Sequence, residues 1–264
     1  GRGQIIDLVG IPGIGKSRVI SEAARLAQEQ GFAAFGGACA ANAVNTSYHV
    51  WQPIWRALFD INAERDPIAL QQALEEKLVA IDPVLRSRAP LLGTVLGITL
   101  PDNELTRSFE PKLRKESLEN LLADCIRAWA REQPLLLVLE ECHWMDALSR
   151  DLIQILAYSI VDVPVTLLLS YRTTELKERG VDGLASLAYH EEIELQDLQP
   201  FELRQLAVTR LNQLQSADVT RAIPDGFLDL IVQQAEGNPF YLEELTNFIH
   251  VRDIDIYDEL ALTQ

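Results

Sequence analysis

The chain has 264 residues, 48% of them apolar and 23% charged, which suits a folded domain with a real core. Thirty-nine acids against 23 bases give a net charge of −16. A phosphate-backbone partner meets repulsion over most of such a surface, so direct nucleic-acid binding by this segment is expected to be unlikely.

Taken in chain order, the first element is an apolar strand (Ile5, Ile6, Leu8, Val9). It leads into Gly10-Ile11-Pro12-Gly13-Ile14-Gly15-Lys16-Ser17, which satisfies the spacing G-x-x-x-x-G-K-[ST]. A helix is predicted from about Ser17 to Gln30, with Val19, Ile20, Ala23, Ala24 and Ala27 on one face and Gly31 as its stop. A strand follows over Phe32–Cys39. A mainly helical stretch runs from Val50 to about Ala89, broken by Pro53, Pro67 and Pro83. The pattern leaves Leu91–Leu100 open between a short helix and a buried loop, and residues 101–111 read as an exposed loop. The clearest helix spans about Lys112–Glu132, with Leu118, Leu121, Leu122, Cys125, Ile126 and Trp129 along one stripe.

Leu135–Leu139 is an unbroken apolar run, as expected of a central parallel strand buried on both faces. A helix from about Ala147 to Ile160, a strand over Val165–Leu169 and a short strand over Glu192–Leu195 complete the alternation. Such alternation implies a parallel sheet with helices on both sides. From Leu198-Gln199-Pro200 onward the pattern is helical only: Phe201–Leu214, about Asp225–Ala235, and Phe240 to about His250. The expected division is a nucleotide-binding domain over residues 1–197 and a helical lid over 198–264.

The chemistry gathers at strand ends. Glycines let backbone N–H groups close around an anion at a helix N-terminus. Gly10 to Ser17, with Arg18 beside them, are therefore candidates to bind phosphates, with Lys16 reaching the β- and γ-phosphates and the Ser17 hydroxyl offered to Mg²⁺. Glu140 and Glu141 follow the buried strand, and ligands of open parallel sheets bind beyond the carboxyl ends of strands. Glu140 is placed to hold Mg²⁺, directly or through water, and Glu141 to orient or deprotonate an attacking water. Arg172, just past the strand that starts at Val165, is a candidate γ-phosphate sensor. Asp146 reads as the cap of the helix after it. In Gly237-Asn238-Pro239-Phe240, Asn238 reads as a cap and Pro239 as the first helical residue.

Cys39, Cys125 and Cys142 are widely spaced and form no C-x-x-C pair, so neither a disulfide framework nor a zinc ribbon is expected. Sparse thiols suit a reducing cytosol. No run reaches the ~18 apolar residues of a membrane span. No signal peptide is read, and a cytoplasmic location is expected. Only three residues precede the first strand and no stop signal closes the last ones, so a domain excised from a longer polypeptide is expected.

Four segments together (G-I-P-G-I-G-K-S, L-L-L-V-L-E-E-C-H-W-M-D, L-L-S-Y-R and E-G-N-P-F-Y-L-E-E-L) resemble the STAND class of P-loop ATPases, the signal-transduction ATPases with numerous domains related to AAA+ enzymes. Within that class they look most like modules joined to bacterial nucleotide cyclases and large transcription regulators. The stretch from Leu96 to Leu122 (P-D-N-E-L-T and P-K-L-R-K-E-S-L) is similar to cyclase-linked members. The resemblance implies an α/β three-layer P-loop fold with sheet order 5-1-4-3-2 and a small helical lid from near residue 198. It implies ATP or ADP with Mg²⁺ as cofactors, Lys16 and Ser17 at phosphate and metal, Glu140 and Glu141 at the Walker B position, Arg172 as sensor and Pro239 near the base. Its partners would be ATP and a neighbouring effector domain, with a homo-oligomer left open.

The chain departs from the family's pattern in two ways. Both acidic positions are Glu where Asp is commoner, and the Gly-Arg motif that usually precedes the first strand near the adenine is absent. No N-K-x-D guanine reader occurs. The activity expected is slow ATP hydrolysis driving a conformational switch. A nucleotide-binding scaffold with little hydrolysis is the alternative, and a small-molecule kinase is a weaker third.

Overall fold

The computed structural model describes residues 1–61, 67–175, 181, 183–214, 223–252 and 254. By chain contacts it divides into two units: Gly1–Val9 with Ser17–Ile193, and Gly10–Lys16 with the described part of Glu194–Gln264.

In the first unit, side-chain character sets the sheet. β3 (Leu135–Glu140) carries five buried apolar residues in succession, and only a central strand covered on both faces hides such a run. β3 pairs in parallel with β2 (Ala33–Ala38), Ala33 opposite Leu135 and Ala38 opposite Glu140. Its other neighbour is β4 (Val165–Tyr171), with Leu139 opposite Leu169. β4 pairs in parallel with β1 (Gln4–Val9), which places Val9 opposite Tyr171. With β5 (His190–Glu194) at the edge, the order is β2-β3-β4-β1-β5, the expected 5-1-4-3-2 arrangement of an α/β three-layer P-loop fold. The parallel register carries β3 through Glu140 and β4 through Tyr171, one and two residues past the apolar runs, because ladder hydrogen bonds continue where hydrophobicity stops.

Helices α1 (Lys16–Glu29), α6 (Pro111–Glu132) and α7 (Ala147–Ser159) fall where periodicity puts them. Asp146 caps α7, its Oδ1 accepting from Ser149 N–H at 3.0 Å and also from Tyr48 N–H at 3.1 Å. The described residues between 40 and 110 form part of the core. α2 (Gln52–Leu58) brings Trp55 6.3 Å from Trp129 of α6, and Phe59 meets the same indole edge-on at 5.1 Å. Aromatic pairs in these geometries add stabilisation beyond the area they bury. α3 (Pro67–Ile81) is followed by a 3₁₀ segment (Pro83–Leu91), and prolines open both, as their fixed φ allows.

The open question at Leu91–Leu100 resolves as a buried one-turn helix, α4 (Leu92–Leu96), closed by Gly97 at φ +64°. The exposed loop expected over residues 101–111 is corrected: it contains α5 (Glu104–Arg107). Asn103 and Thr106 form a reciprocal capping box there, and Thr106 is fully buried. Short helices held by caps leave no hydrophobic period to read.

In the second unit, α8 (Pro200–Leu214), α9 (Asp225–Ala235) and α10 (Pro239–Val251) share a separate small core of Leu203, Ala207, Leu211, Phe227, Leu228, Ile231, Ala235 and Leu242. The Glu202 carboxylate accepts from Gln199 N–H at 2.7 Å at the start of α8.

Edge strand β5 is tied down by a pair that spacing could not reveal. His190 Nε2 lies 2.9 Å from Asp7 Oδ2, and both side chains are under a tenth exposed. Burial raises the Asp7 carboxyl above the usual carboxylate range, and the His190 hydrogen bond pulls in the opposite direction. Removing His190 strands that carboxylate without its partner. His190→Ala is therefore expected to cost about 3 kcal/mol in urea unfolding at pH 7. Asp7→Asn, which removes the buried carboxylate and keeps a polar group opposite His190, is expected to cost less.

Candidate functional site

The glycine loop belongs to the second unit and is described within it. Gly13 and Gly15 take φ of +81° and +104°, a region that L side chains enter only with strain. A Cβ at Gly13 would stand 2.7 Å from Phe240 Cβ and 2.9 Å from Asn238 Oδ1, whereas at Gly15 it would meet nothing within 4 Å. Gly13 is thus required by packing as well as by torsion, and Gly15 by torsion alone. The Lys16 side chain is buried, and its ammonium donates to the carbonyls of Gly10 at 2.8 Å and Ile11 at 3.1 Å. Asn238 Nδ2 donates to Pro12 O at 3.0 Å while Asn238 Oδ1 accepts from Phe240 N–H at 3.0 Å, capping α10. Pro239 stands in the first turn of α10.

In the first unit, Ser17 Oγ donates to Glu140 Oε2 at 2.7 Å. Ser17 lies in the first turn of α1 and Glu140 ends β3, so the register of the sheet has brought the start of one helix to the acidic end of the central strand. The next residue, Glu141, leaves the strand at φ +55° and ψ +41°, a left-handed conformation uncommon outside glycine. Its N–H donates to Ser170 Oγ at 3.1 Å, and Ser170 is buried in β4. The Glu141 carboxylate faces two basic side chains: Oε2 is 3.2 Å from His143 Nε2 and 3.7 Å from an Arg172 guanidinium nitrogen. His143 is buried, and Arg172 follows β4.

Within each unit the residues singled out from the sequence are gathered: Ser17 with Glu140, Glu141 with Arg172, and Gly10 to Lys16 around one ammonium. Two contacts are not legible in the sequence. Asn238 reads there as a helix cap, but its amide also holds the loop. Ser170 anchors the bend at Glu141. His143, which the sequence leaves open between a phosphate-side contact and a packed structural role, stands buried against the Glu141 carboxylate. The Gly-Asn-Pro-Phe tetrapeptide is a signal for the first, while nothing local distinguishes Ser170.

The residues fit a nucleotide with a hard cation. Backbone N–H groups around glycines at positive φ make an anion concavity. A serine hydroxyl beside a carboxylate is an oxygen donor set of the kind Mg²⁺ uses, with phosphate oxygens and water completing its shell. Among the described residues no cluster of three or more His, Cys, Asp or Glu could hold a metal by itself. Cys142 is fully buried; burial first, and then neighbouring Cys39, push its thiol well above the usual range, which disfavours the thiolate that a soft metal needs.

Among the described residues no helix is long and apolar enough to cross a membrane. The family model described as "AAA ATPase domain" matches residues 1–169. An uncharacterized protein of Rhizobium meliloti (strain 1021) is 27% identical over 180 residues, covering 67% of this chain; the chain spans only 17% of that relative's length. The structure of the Aeropyrum pernix Orc1 protein in complex with DNA is similar with a TM-score of 0.51 at 13% identity, over 98% of this chain and 58% of that one. A Pyrococcus horikoshii signal transduction ATPase with numerous domains, bearing a tetratricopeptide repeat sensor, aligns at TM-score 0.45 and 12% identity over 97% of this chain and 31% of that one.

The Orc1 likeness corrects one expectation. The net charge of −16 argues against direct nucleic-acid binding, yet this fold occurs in a protein solved on DNA. Phosphate contacts are local, and a charge summed over a whole chain does not describe the face that meets a duplex. With the family model spanning well over half of its residues, the chain belongs to the AAA ATPase domain family.

Proposed function

We propose that the chain is an ATP-binding, slowly ATP-hydrolysing, Mg²⁺-dependent regulatory switch module of a signalling protein in the STAND class. The observation that carries this reading is the 2.7 Å bond between Ser17 Oγ and Glu140 Oε2, since hydroxyl and carboxylate together form the cation-binding half of a phosphate site. Membership of the AAA ATPase domain family supports the nucleotide. The signalling role and the likeness to cyclase-linked modules rest on the four sequence segments.

In this reading Gly10, Ile11, Pro12, Gly13, Ile14, Gly15, Lys16, Ser17 and Arg18 form the phosphate-binding segment, and residues 198–264 act as its lid. Lys16, whose ammonium is shared between two loop carbonyls, exchanges them for phosphate oxygens. The buried ammonium keeps hydrogen-bond acceptors throughout that exchange. Ser17 and Glu140 hold Mg²⁺. When bound, the cation offsets negative charge on the β- and γ-phosphates. Glu141 serves as the base that orients water, and the left-handed turn at its backbone aims it away from the strand. Arg172, paired with that carboxylate, senses the γ-phosphate, and Pro239 contributes from the lid toward the base.

A second reading, a nucleotide-binding scaffold with little hydrolysis, is favoured by one observation. The Glu141 carboxylate is engaged by His143 and Arg172, and a base so held is slow to reach water.

Lys16→Ala is expected to weaken MgATP binding by roughly a hundredfold in calorimetry, the scale of a lost charged hydrogen-bond set. Glu141→Gln is expected to leave binding intact and slow single-turnover hydrolysis by about a hundredfold or more. An unchanged rate in Glu141→Gln would support the scaffold instead. Ser17→Ala is expected to remove the Mg²⁺ dependence of binding more than the binding of free nucleotide.

A further inference from the structure

Asn238 is buried, and every polar atom it owns is engaged. Its backbone N–H donates to Ala235 O at 2.8 Å and its carbonyl accepts from Leu242 N–H at 3.3 Å. The side-chain oxygen caps α10 through Phe240 N–H, and the side-chain amide holds Pro12 O, a residue 226 positions away in the chain. Helix capping needs only an acceptor, which Asp, Ser or Thr supplies equally well. The donor half of the amide has one use here, the loop carbonyl.

Holding that carbonyl has a consequence fixed by covalent geometry. The Pro12–Gly13 peptide is planar and trans, so the Pro12 C=O and the Gly13 N–H point in opposite directions. With the carbonyl drawn to Asn238, the Gly13 N–H is aimed away from α10. The absence of a side chain at Gly13 lets Phe240 and Asn238 close on the loop, since a Cβ there would collide with both.

We infer that Asn238 is a positioning residue for the phosphate loop: its amide sets the Pro12–Gly13 peptide plane so that the Gly13 N–H is presented to a nucleotide phosphate. The inference rests on the reading of Gly10 to Ser17 as the phosphate-binding segment, and it assigns to α10 a direct part in nucleotide affinity. By linkage, a phosphate that favours this peptide orientation also favours the capped start of α10, so nucleotide occupancy and lid order are coupled through one side chain.

Asn238→Asp separates the two roles. The carboxylate still caps α10, but the oxygen facing Pro12 O has no hydrogen to give. The expected result in the full chain, read at a temperature where both proteins are folded, is MgADP binding weakened about tenfold, the scale of one lost bond turned repulsive. Binding of MgADP as tight as in the parent chain would overturn the proposal. Because the buried carboxylate also lowers the melting temperature, the side-chain amide resonances of Asn238 in the unaltered protein give the second readout. A shift on adding MgADP supports the positioning role, and none overturns it. Lys16→Ala run in parallel separates the two levels. Loss of MgADP in Lys16→Ala without loss in Asn238→Asp refutes Asn238 alone, whereas no loss in Lys16→Ala removes the phosphate-loop reading beneath it.

Discussion

The parallel register of β3 on β4 and of β4 on β1 is the constraint on which the first unit depends. Strands running the same way must end on the same edge, and the pairings Leu139–Leu169 and Val9–Tyr171 bring three carboxyl ends level. The residues next in the chain after each strand are therefore delivered to that edge by the ladder, not by chance loop conformation. Within the first unit the two glutamates end and leave β3, and Arg172 leaves β4. The helix that begins at Lys16 starts close enough to the same edge for Ser17 to bond Glu140. A parallel sheet also needs cover on both faces, and residues 40–110 help supply it, with their tryptophans built into the main core.

At that edge the polar groups are held by backbone geometry rather than by a dense ion cluster. Glu141 occupies a left-handed conformation, fixed by Ser170 Oγ from the neighbouring strand. Left-handed non-glycine residues carry strain that the surrounding structure must sustain, and such strain concentrates where a side chain has to be aimed. The bend turns Glu141 out of the ladder, so that consecutive carboxylates Glu140 and Glu141 serve different neighbours: a hydroxyl for one, a histidine and an arginine for the other. Both members of the pair are Glu, whose longer reach suits this division.

The second unit joins a small helical core to a loop distant in sequence. Among the described residues that core is modest, eight buried apolar side chains, yet the unit includes the Gly10–Lys16 segment in its own contacts. One amide carries both the end of a helix and a carbonyl of the loop. A helix start and a loop conformation joined in this way are coupled through one side chain.

Much of the fold and of the candidate site is legible in the sequence. The glycine-lysine-serine spacing encodes local torsions, the unbroken run at Leu135–Leu139 encodes two-sided burial, and the periodicity of α6 encodes one packed face. These are properties of neighbouring residues, and the sheet order came from the family resemblance they allowed. Short capped segments such as α5 escape because one helical turn has no period. The pairs Asp7–His190 and Pro12–Asn238, and the anchoring of Glu141 by Ser170, were decided only when the chain closed on itself. Each joins residues whose separation in sequence carries no information, 183, 226 and 29 positions respectively, and each depends on which strands and helices become neighbours. The sequence by itself thus determined the glycine loop's spacing and the family it resembles. The tertiary structure decided which side chains meet beside these segments, because hydrogen bonds between remote groups are specified by packing and not by spacing.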